Sequence, residues 1–282
     1  MTDNTISKRY EELTIADDFM FYKVMSNEEL CKELLETILG IKIKKLVYHE
    51  TQAVLKDTYD GKGIRLDIYA FDENETVYNV EMQASNSDDI VKRSRYYQSS
   101  IDMDLLDKGV RYKYLNKSIV IFICTFDLFK KGLLKYTFSS VCNEDKNIVL
   151  DDGVTKVFVN ASHNVNDILD DSKDTTRLKS LIKYIKTGEP SDEYTKKIDA
   201  AVISSRKHKS WRNEYMKYRA DREDLLDIGH EQGLAEGLEQ GRGEERTKII
   251  KKMLLLDMSY EEISKIVDIP AGEIESYAKE EF

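Results

Sequence analysis

Residues 64–83, IRLDIYAFDENETVYNVEMQ, decide the fold of this 282-residue chain. Apolar and polar side chains alternate along residues 64–71 and again along residues 77–83, which is the period-two pattern of β-strands. The polar run DENE at residues 72–75 lies between them and is typical of a chain reversal. The stretch therefore predicts a β-hairpin.

The length of the hairpin loop decides which side of the sheet the acidic side chains occupy. If residues 73–75 form a three-residue loop, Asp67 lies opposite Glu81 and both point to the same face. A two-residue loop would pair Asp67 with Val80 and turn Glu81 to the other side, because a slip of one residue moves every side chain to the opposite face. We favour the three-residue loop because it also aligns the apolar side chains on the second face, namely Ile64, Leu66, Ile68, Val80 and Met82.

Two acidic side chains directly opposite each other on a sheet repel, so this pair needs an explanation. A cation between Asp67 and Glu81 would make the arrangement tolerable, and Mg²⁺ prefers a few carboxylates together with water and phosphate oxygens. The alternative is an exposed hairpin whose acidic residues only keep it soluble.

Several motifs recur with this pair along the chain. Glu81-x-Gln83 is followed by KRSRYYQS at residues 92–99, by the apolar run SIVIFIC at residues 118–124 and FDLF after it, and by a glycine-spaced tail. Together they resemble the PD-(D/E)XK nuclease superfamily, and most closely its Rpn-type recombination-promoting nucleases and transposases. The resemblance implies an α/β fold: a restriction-endonuclease-like PD-(D/E)XK core with a mixed central sheet flanked by helices, followed by an α-helical C-terminal extension.

The same resemblance implies roles for individual residues. Asp67 and Glu81 would bind one or two Mg²⁺ ions, with Mn²⁺ as the alternative metal. Gln83 stands where many superfamily members carry a catalytic Lys, and it would orient a water molecule. Arg93 would position the substrate phosphate.

Further contacts follow from neighbouring helices. Arg93 and Tyr97 are four residues apart and share a helix face, so Tyr97 and the adjacent Tyr96 are candidate substrate contacts, unless they only pack on the sheet. Many superfamily members draw a further metal contact from a Glu on the first core helix. Glu33 or Glu36 could supply it here, although a surface charge on an amphipathic helix is the ordinary interpretation for both.

Composition limits the kinds of protein that this chain can be. It has 34% charged and 41% hydrophobic residues, no apolar run long enough for a membrane span, and a polar N-terminus without a secretory signal, so we expect a cytoplasmic protein. The three cysteines are widely spaced and predict buried thiols. The net charge is −10, but residues 173–222 hold 14 basic and 7 acidic residues, which form either a phosphate-binding surface or a solvated helix face.

Local signals predict the other elements. A first helix is expected to begin at Asp17-Asp18. A second has Ser26 as its N-cap, in a capping box with Glu29, and ends at Gly40. Three more are expected: one that begins at residues 85–89 and ends at about 106, one from about 167 to 188, and one from 191 to about 227. Strands are expected at residues 41–55, at 118–126 in the sheet centre, and at 136–141, 148–150 and 154–159 at its edges, with a turn at residues 57–63.

The tail carries glycine at every fourth position, Gly229, Gly233, Gly237 and Gly241, which places all of them on one helix face. That face predicts either self-association of the chain or a linker helix of low stability. Residues 246–279 predict a helix-turn-helix hairpin with Ser259 as an N-cap, but its last helix is acidic, which favours protein contact over DNA contact.

We therefore expect three segments: a nuclease-like core at 1–165, a helical extension at 166–227 and an associating tail at 228–282. The predicted function is a metal-dependent DNA endonuclease acting in recombination or transposition, with DNA and a second copy of the chain as partners and without a membrane or an organic cofactor. The alternative is a catalytically inactive module that retains the fold and binds DNA or protein. Action on RNA stays open.

Overall fold

The computed structural model describes residues 8–55, 64–162 and 172–279. The chain divides into two compact units, Met1–Met216 and Lys217–Phe282. The predicted turn at residues 57–63 and the start of the predicted helix at residue 167 lie outside the described residues.

The first unit is built around a mixed sheet of six strands in its described part. The strands are β1 (Leu46–Leu55), β2 (Ile64–Asp72), β3 (Val77–Gln83), β4 (Ser118–Cys124), β5 (Lys135–Phe138) and β6 (Val154–Asn160), in the order β1-β2-β3-β4-β6-β5. The pairs β1–β2, β2–β3 and β5–β6 are antiparallel, whereas β3–β4 and β4–β6 are parallel. This mixed sheet confirms the predicted fold class.

The hairpin between β2 and β3 has the predicted register. Ile68 pairs with Val80 and Phe71 with Val77, and continuing this register by one residue places Asp67 opposite Glu81. The loop is residues 73–75, closed by a hydrogen bond of 3.1 Å from the Asp72 N–H to the Thr76 carbonyl. Glu75 takes the left-handed conformation, with φ = +58°, which three-residue hairpin loops require at their last position.

Five helices surround this sheet in the described part of the first unit: α1 (Asp18–Met25), α2 (Glu28–Leu39), α3 (Ile90–Leu105), α4 (Lys173–Thr187) and α5 (Glu193–Arg206). α1 packs against β1, β2 and β3, and α3 packs against β1 and β4. α2 ends at Gly40 in the left-handed conformation, as predicted, but its N-cap is Asn27, whose side chain accepts a hydrogen bond from Leu30 N–H. The assignment of Ser26 was wrong because Ser26 closes α1, where its hydroxyl donates to the Lys23 carbonyl at 2.7 Å.

Other predicted elements need correction. β1 begins at Leu46 rather than residue 41, and residues 148–150 form only an isolated bridge between Val149 and Val141. β6 is not at an edge, because it pairs with β4 on one side and with β5 on the other. Of the cysteines, Cys31 and Cys124 are buried as expected, but Cys142 is partly exposed.

The helix predicted from 191 to 227 is interrupted between α5 and α6 (Lys209–Leu255). The last turn of α5 tightens, and His208 N–H donates to the Ser205 carbonyl at 2.9 Å. Arg206 at the same point donates to the Leu13 carbonyl at 2.8 Å. A tertiary contact therefore accompanies the end of α5, where periodicity alone predicts continuation.

The second unit contains α6 from residue 217 onward, followed by α7 (Tyr260–Val267) and α8 (Ala271–Lys279). Ser259 caps α7 in a capping box with Glu262, as predicted. The end of α6 packs with the two short helices around buried isoleucines, Ile250, Ile263, Ile269 and Ile274. No helix in the described residues is both long enough and apolar enough to cross a membrane.

Candidate active site

Asp67 on β2 and Glu81 on β3 reach across to each other's strand. The Asp67 N–H donates to Glu81 Oε1 at 3.1 Å, and the Met82 N–H donates to Asp67 Oδ2 at 3.1 Å. Glu81 is 4% exposed, and Asp67 is only partly exposed. The three-residue loop thus brings the two acidic side chains together on one face of the sheet.

Asn79 holds Glu81 in place from the same strand. Its Nδ2 donates to Glu81 Oε1 at 2.7 Å and to the Ile68 carbonyl at 3.3 Å, and the side chain is 0% exposed. Within the described part of the chain, the opposite oxygens, Asp67 Oδ1 and Glu81 Oε2, accept no hydrogen bond. One oxygen of each carboxylate is therefore anchored, and the other remains available to a ligand.

The electrostatics of the pair show that its negative charge is poorly compensated. Burial raises the pKa of Asp67 to about 7, although the Met82 N–H opposes this rise. Burial and then the charge of Asp67 raise the pKa of Glu81 well above its usual value. Arg93 lowers the pKa of both carboxyls, but by less than burial raises them. A second positive charge would stabilise the ionised pair.

Arg93 on α3 links the acidic pair to Gln83 and Tyr97. Its Nη1 donates to Gln83 Oε1 at 3.0 Å, and its Nη2 donates to the Tyr97 hydroxyl at 3.2 Å. The guanidinium carbon lies 5.7 Å from the centre of the Phe122 ring, which packs beneath it. Gln83 is fixed at its other end, where Nε2 donates to the Ser85 carbonyl at 2.8 Å.

The structure thus brings together five of the six residues that the sequence nominated: Asp67, Glu81, Gln83, Arg93 and Tyr97. Tyr96 is the exception. It lies about 100° further round α3 than Tyr97, and 38% of it is exposed.

A further acidic residue, Asp18, belongs to this neighbourhood and was not among the nominated residues. It is the first residue of α1, and its charge raises the pKa of Asp67. Glu33 and Glu36 are engaged elsewhere: Glu33 pairs with Arg177 at 3.0 Å, and Glu36 accepts from Ile43 N–H at 3.0 Å. The sequence identifies Asp18 only as a residue at the start of a helix. Its electrostatic effect on Asp67 becomes visible only when α1 packs on β2.

The available oxygens suit a hard divalent cation such as Mg²⁺ or Mn²⁺. No group of three or more His, Cys, Asp or Glu side chains placed to hold a metal occurs among residues 8–55, 64–162 and 172–279. Asp67 and Glu81 would therefore supply two ligands, and water or phosphate oxygens would supply the rest, which is the coordination that Mg²⁺ prefers.

Comparison with known protein families identifies a match over most of the chain. A family model described as PD-(D/E)XK nuclease family transposase matches residues 15–228, which contain Asp18 and all the nominated residues. No curated protein and no solved structure matches the chain.

Proposed function

Since the chain belongs to the PD-(D/E)XK nuclease family transposases, we propose that it is a metal-dependent DNA endonuclease that hydrolyses phosphodiester bonds during recombination or transposition. The observation that carries the proposal is the convergence of Asp67 and Glu81, each with one oxygen left without a donor, beside the guanidinium of Arg93. Buried like charges are costly, and their retention side by side is explained by a cation that binds them.

Asp67 and Glu81 would hold Mg²⁺ or Mn²⁺ through Oδ1 and Oε2. When bound, such an ion supplies Lewis-acid stabilisation of phosphate charge and activates water near neutral pH. Asn79 keeps the Glu81 carboxylate oriented for this role by its 2.7 Å hydrogen bond.

Arg93 would bind the substrate phosphate. Two of its five N–H groups are directed to Gln83 and Tyr97, and the remaining donors can form charge-assisted hydrogen bonds to phosphate oxygens. Tyr97 fixes the orientation of the guanidinium, and Tyr96 would contact the substrate further along α3. The amide oxygen of Gln83 keeps a second lone pair, through which it would orient the attacking water.

The partners that we propose are DNA and a second copy of the chain. We propose that the core spans residues 1–165 and that the helical extension spans residues 166–227. Residues 173–222, which hold more basic than acidic side chains, would contact the phosphates of the DNA backbone. Self-association would involve the tail, residues 228–282. An added Cβ at Gly229, Gly233, Gly237 or Gly241 would meet nothing within 4 Å, and Leu234 beside them is 58% exposed. Sedimentation of the chain with and without residues 228–282 tests this, and a monomer in both cases would refute it.

Nicking of supercoiled plasmid in Mg²⁺ or Mn²⁺ tests the enzymatic proposal. We expect the wild type to nick and the Asp67→Ala and Glu81→Ala variants to be inactive, whereas Asp107→Ala, which removes an exposed carboxylate, should retain activity. The second candidate, an inactive binding module, is favoured by Gln83 in the place of a Lys. Binding of plasmid by the folded wild type without cleavage in either metal would establish it, and labelled RNA in the same assay decides between the nucleic acids.

A further inference from the structure

A cleft separate from the acidic pair lies at the far end of α3. Its volume is about 540 Å³, and its walls include three aromatic rings, Tyr48 on β1 and Tyr69 and Phe71 on β2. Phe71 is four residues along β2 from Asp67, which corresponds to about 13 Å at the rise of a β-strand. The cleft is therefore outside the candidate active site.

The three rings stand nearly perpendicular to one another. Tyr48 and Phe71 are 5.5 Å apart at 81°, Tyr69 and Phe71 are 5.2 Å apart at 72°, and Tyr48 and Tyr69 are 6.1 Å apart at 79°. Three mutually perpendicular planes form a corner. Aromatic faces carry negative partial charge, so a corner of this kind attracts organic cations.

Carboxylates surround the aromatic corner and add to its negative potential. Glu75 and Asp104 line the cleft, and the Tyr48 hydroxyl donates to Glu50 beside it. This hydrogen bond raises the pKa of Tyr48 to about 12. Burial, the charge of Asp104 and a hydrogen bond to Asp104 raise the pKa of Tyr69. The same charges would repel nucleic-acid phosphate, so the cleft is not an extension of a DNA surface.

The Tyr69 hydroxyl has an unmet capacity to accept a hydrogen bond. Tyr69 is 4% exposed, its hydroxyl is directed to the Asp104 carboxylate, and no N–H or O–H of the described residues donates to its oxygen. A buried hydroxyl oxygen normally accepts a hydrogen bond. A ligand with N–H donors would give the Tyr69 oxygen a partner.

We propose that the cleft bounded by Tyr48, Tyr69 and Phe71 binds a primary alkylammonium group. The ring faces attract the cation, Asp104 and Glu75 neutralise it, and its N–H groups donate to these carboxylates and to Tyr69 Oη. Val47 and Leu105, also in the lining, contact the alkyl chain. The group belongs either to a free diamine or to a lysine side chain of a partner.

Ligand-observed NMR on the full-length chain tests the proposal, with n-butylammonium as the probe and 1-butanol as its uncharged control. The charged probe should bind at least about tenfold more tightly than the alcohol, and Phe71→Leu and Asp104→Asn should each weaken its binding about fivefold. Tyr112→Leu removes a surface ring that is 82% exposed and does not line the cleft, and it should change nothing, as should Asp107→Asn.

Equal binding of the two probes, or unchanged affinity in Asp104→Asn, would overturn the proposal. Because Asp104 is exposed, this variant remains informative even if Phe71→Leu fails to fold. A comparison of 1,4-diaminobutane with Nα-acetyl-lysine amide identifies the source of the group: tighter diamine binding indicates a free diamine, and tighter lysine binding indicates a side chain. If neither 1,4-diaminobutane nor Nα-acetyl-lysine amide binds, the proposed site is refuted. Asp104→Asn should nick plasmid like the wild type, so that failure of this site is distinguishable from failure of the proposed function.

Discussion

Replacing Asp67 with asparagine should stabilise the metal-free protein while it abolishes the proposed activity. Burial raises the pKa of Asp67 from 3.8 to about 7, so the folded protein retains a proton that the unfolded chain releases between these values. The contribution of Asp67 to stability therefore falls as pH rises through this window and is constant above it. At about 1.4 kcal/mol for each pKa unit, the cost is about 4 kcal/mol near pH 8 and about 1 kcal/mol near pH 4.5.

An asparagine side chain at this position would avoid the cost, because its amide oxygen can still accept the hydrogen bond from Met82 N–H, which Asp67 accepts at 3.1 Å. The substitution would also remove the charge that raises the pKa of Glu81. We therefore expect the variant to gain about 4 kcal/mol near pH 8, or about 10 °C in melting temperature for a unit of this size, and about 1 kcal/mol near pH 4.5.

Urea denaturation followed by circular dichroism, with a chelator present, measures these differences. Asp107→Asn, the loss of an exposed carboxylate, controls for the change in net charge and should show no pH-dependent gain. A variant that is less stable than the wild type near pH 8, or a gain that is the same at both pH values, would refute the electrostatic reasoning.

Adding metal tests the functional proposal independently of the electrostatic cost of Asp67. A cation that binds the pair should stabilise the wild type by about 2.7 kcal/mol at a hundredfold excess over its Kd. The Asp67→Asn variant should gain much less, since it lacks one ligand. Equal stabilisation of both proteins would show that the metal binds elsewhere.

Three further predictions concern positions around the site and in the tail. Arg93→Lys cannot make both of the Arg93 hydrogen bonds and should slow nicking about 100-fold, whereas Arg95→Lys on the exposed face of α3 should not. Asn79→Ala removes a donor that lowers the pKa of Glu81, so the acidic limb of the pH–rate profile should move to higher pH; an unmoved limb contradicts this. Gly237→Ala should stabilise α6 by about 1 kcal/mol in thermal unfolding, whereas Gly237→Leu should abolish self-association in sedimentation; an unchanged oligomer would exclude this helix face.

Features of the fold that depend on residues close together in the sequence were predictable. Alternation along residues 64–83 and the composition of the loop fixed the hairpin register, because only one phase places the apolar side chains together. The Ser26 error shows the limit of local signals. Ser26 and Asn27 are both good N-cap residues, and the choice depends on α1 ending at Ser26, where the backbone is still helical, with ψ = −15°.

The remaining features depend on contacts between distant segments. The insertion of β6 between β4 and β5 follows from parallel pairing of Ser118 with Val154, which no local pattern encodes. The proximity of Asp18 to Asp67 similarly arises from the packing of α1 on β2. Helical spacing predicted that Arg93 and Tyr97 share a face, but their hydrogen bond, and the one to Gln83, required the structure.

The length of the hairpin loop at residues 73–75 decides which face of the sheet each side chain of β3 occupies. A single-codon insertion or deletion in this loop would turn Glu81 to the opposite surface of the sheet while leaving each nominated residue unchanged. Such a variant would align with the active-site motif and yet be unable to assemble it. The length of that turn is therefore as informative about the assembly of the proposed site as the presence of the two acids, and gaps there should be weighed like substitutions.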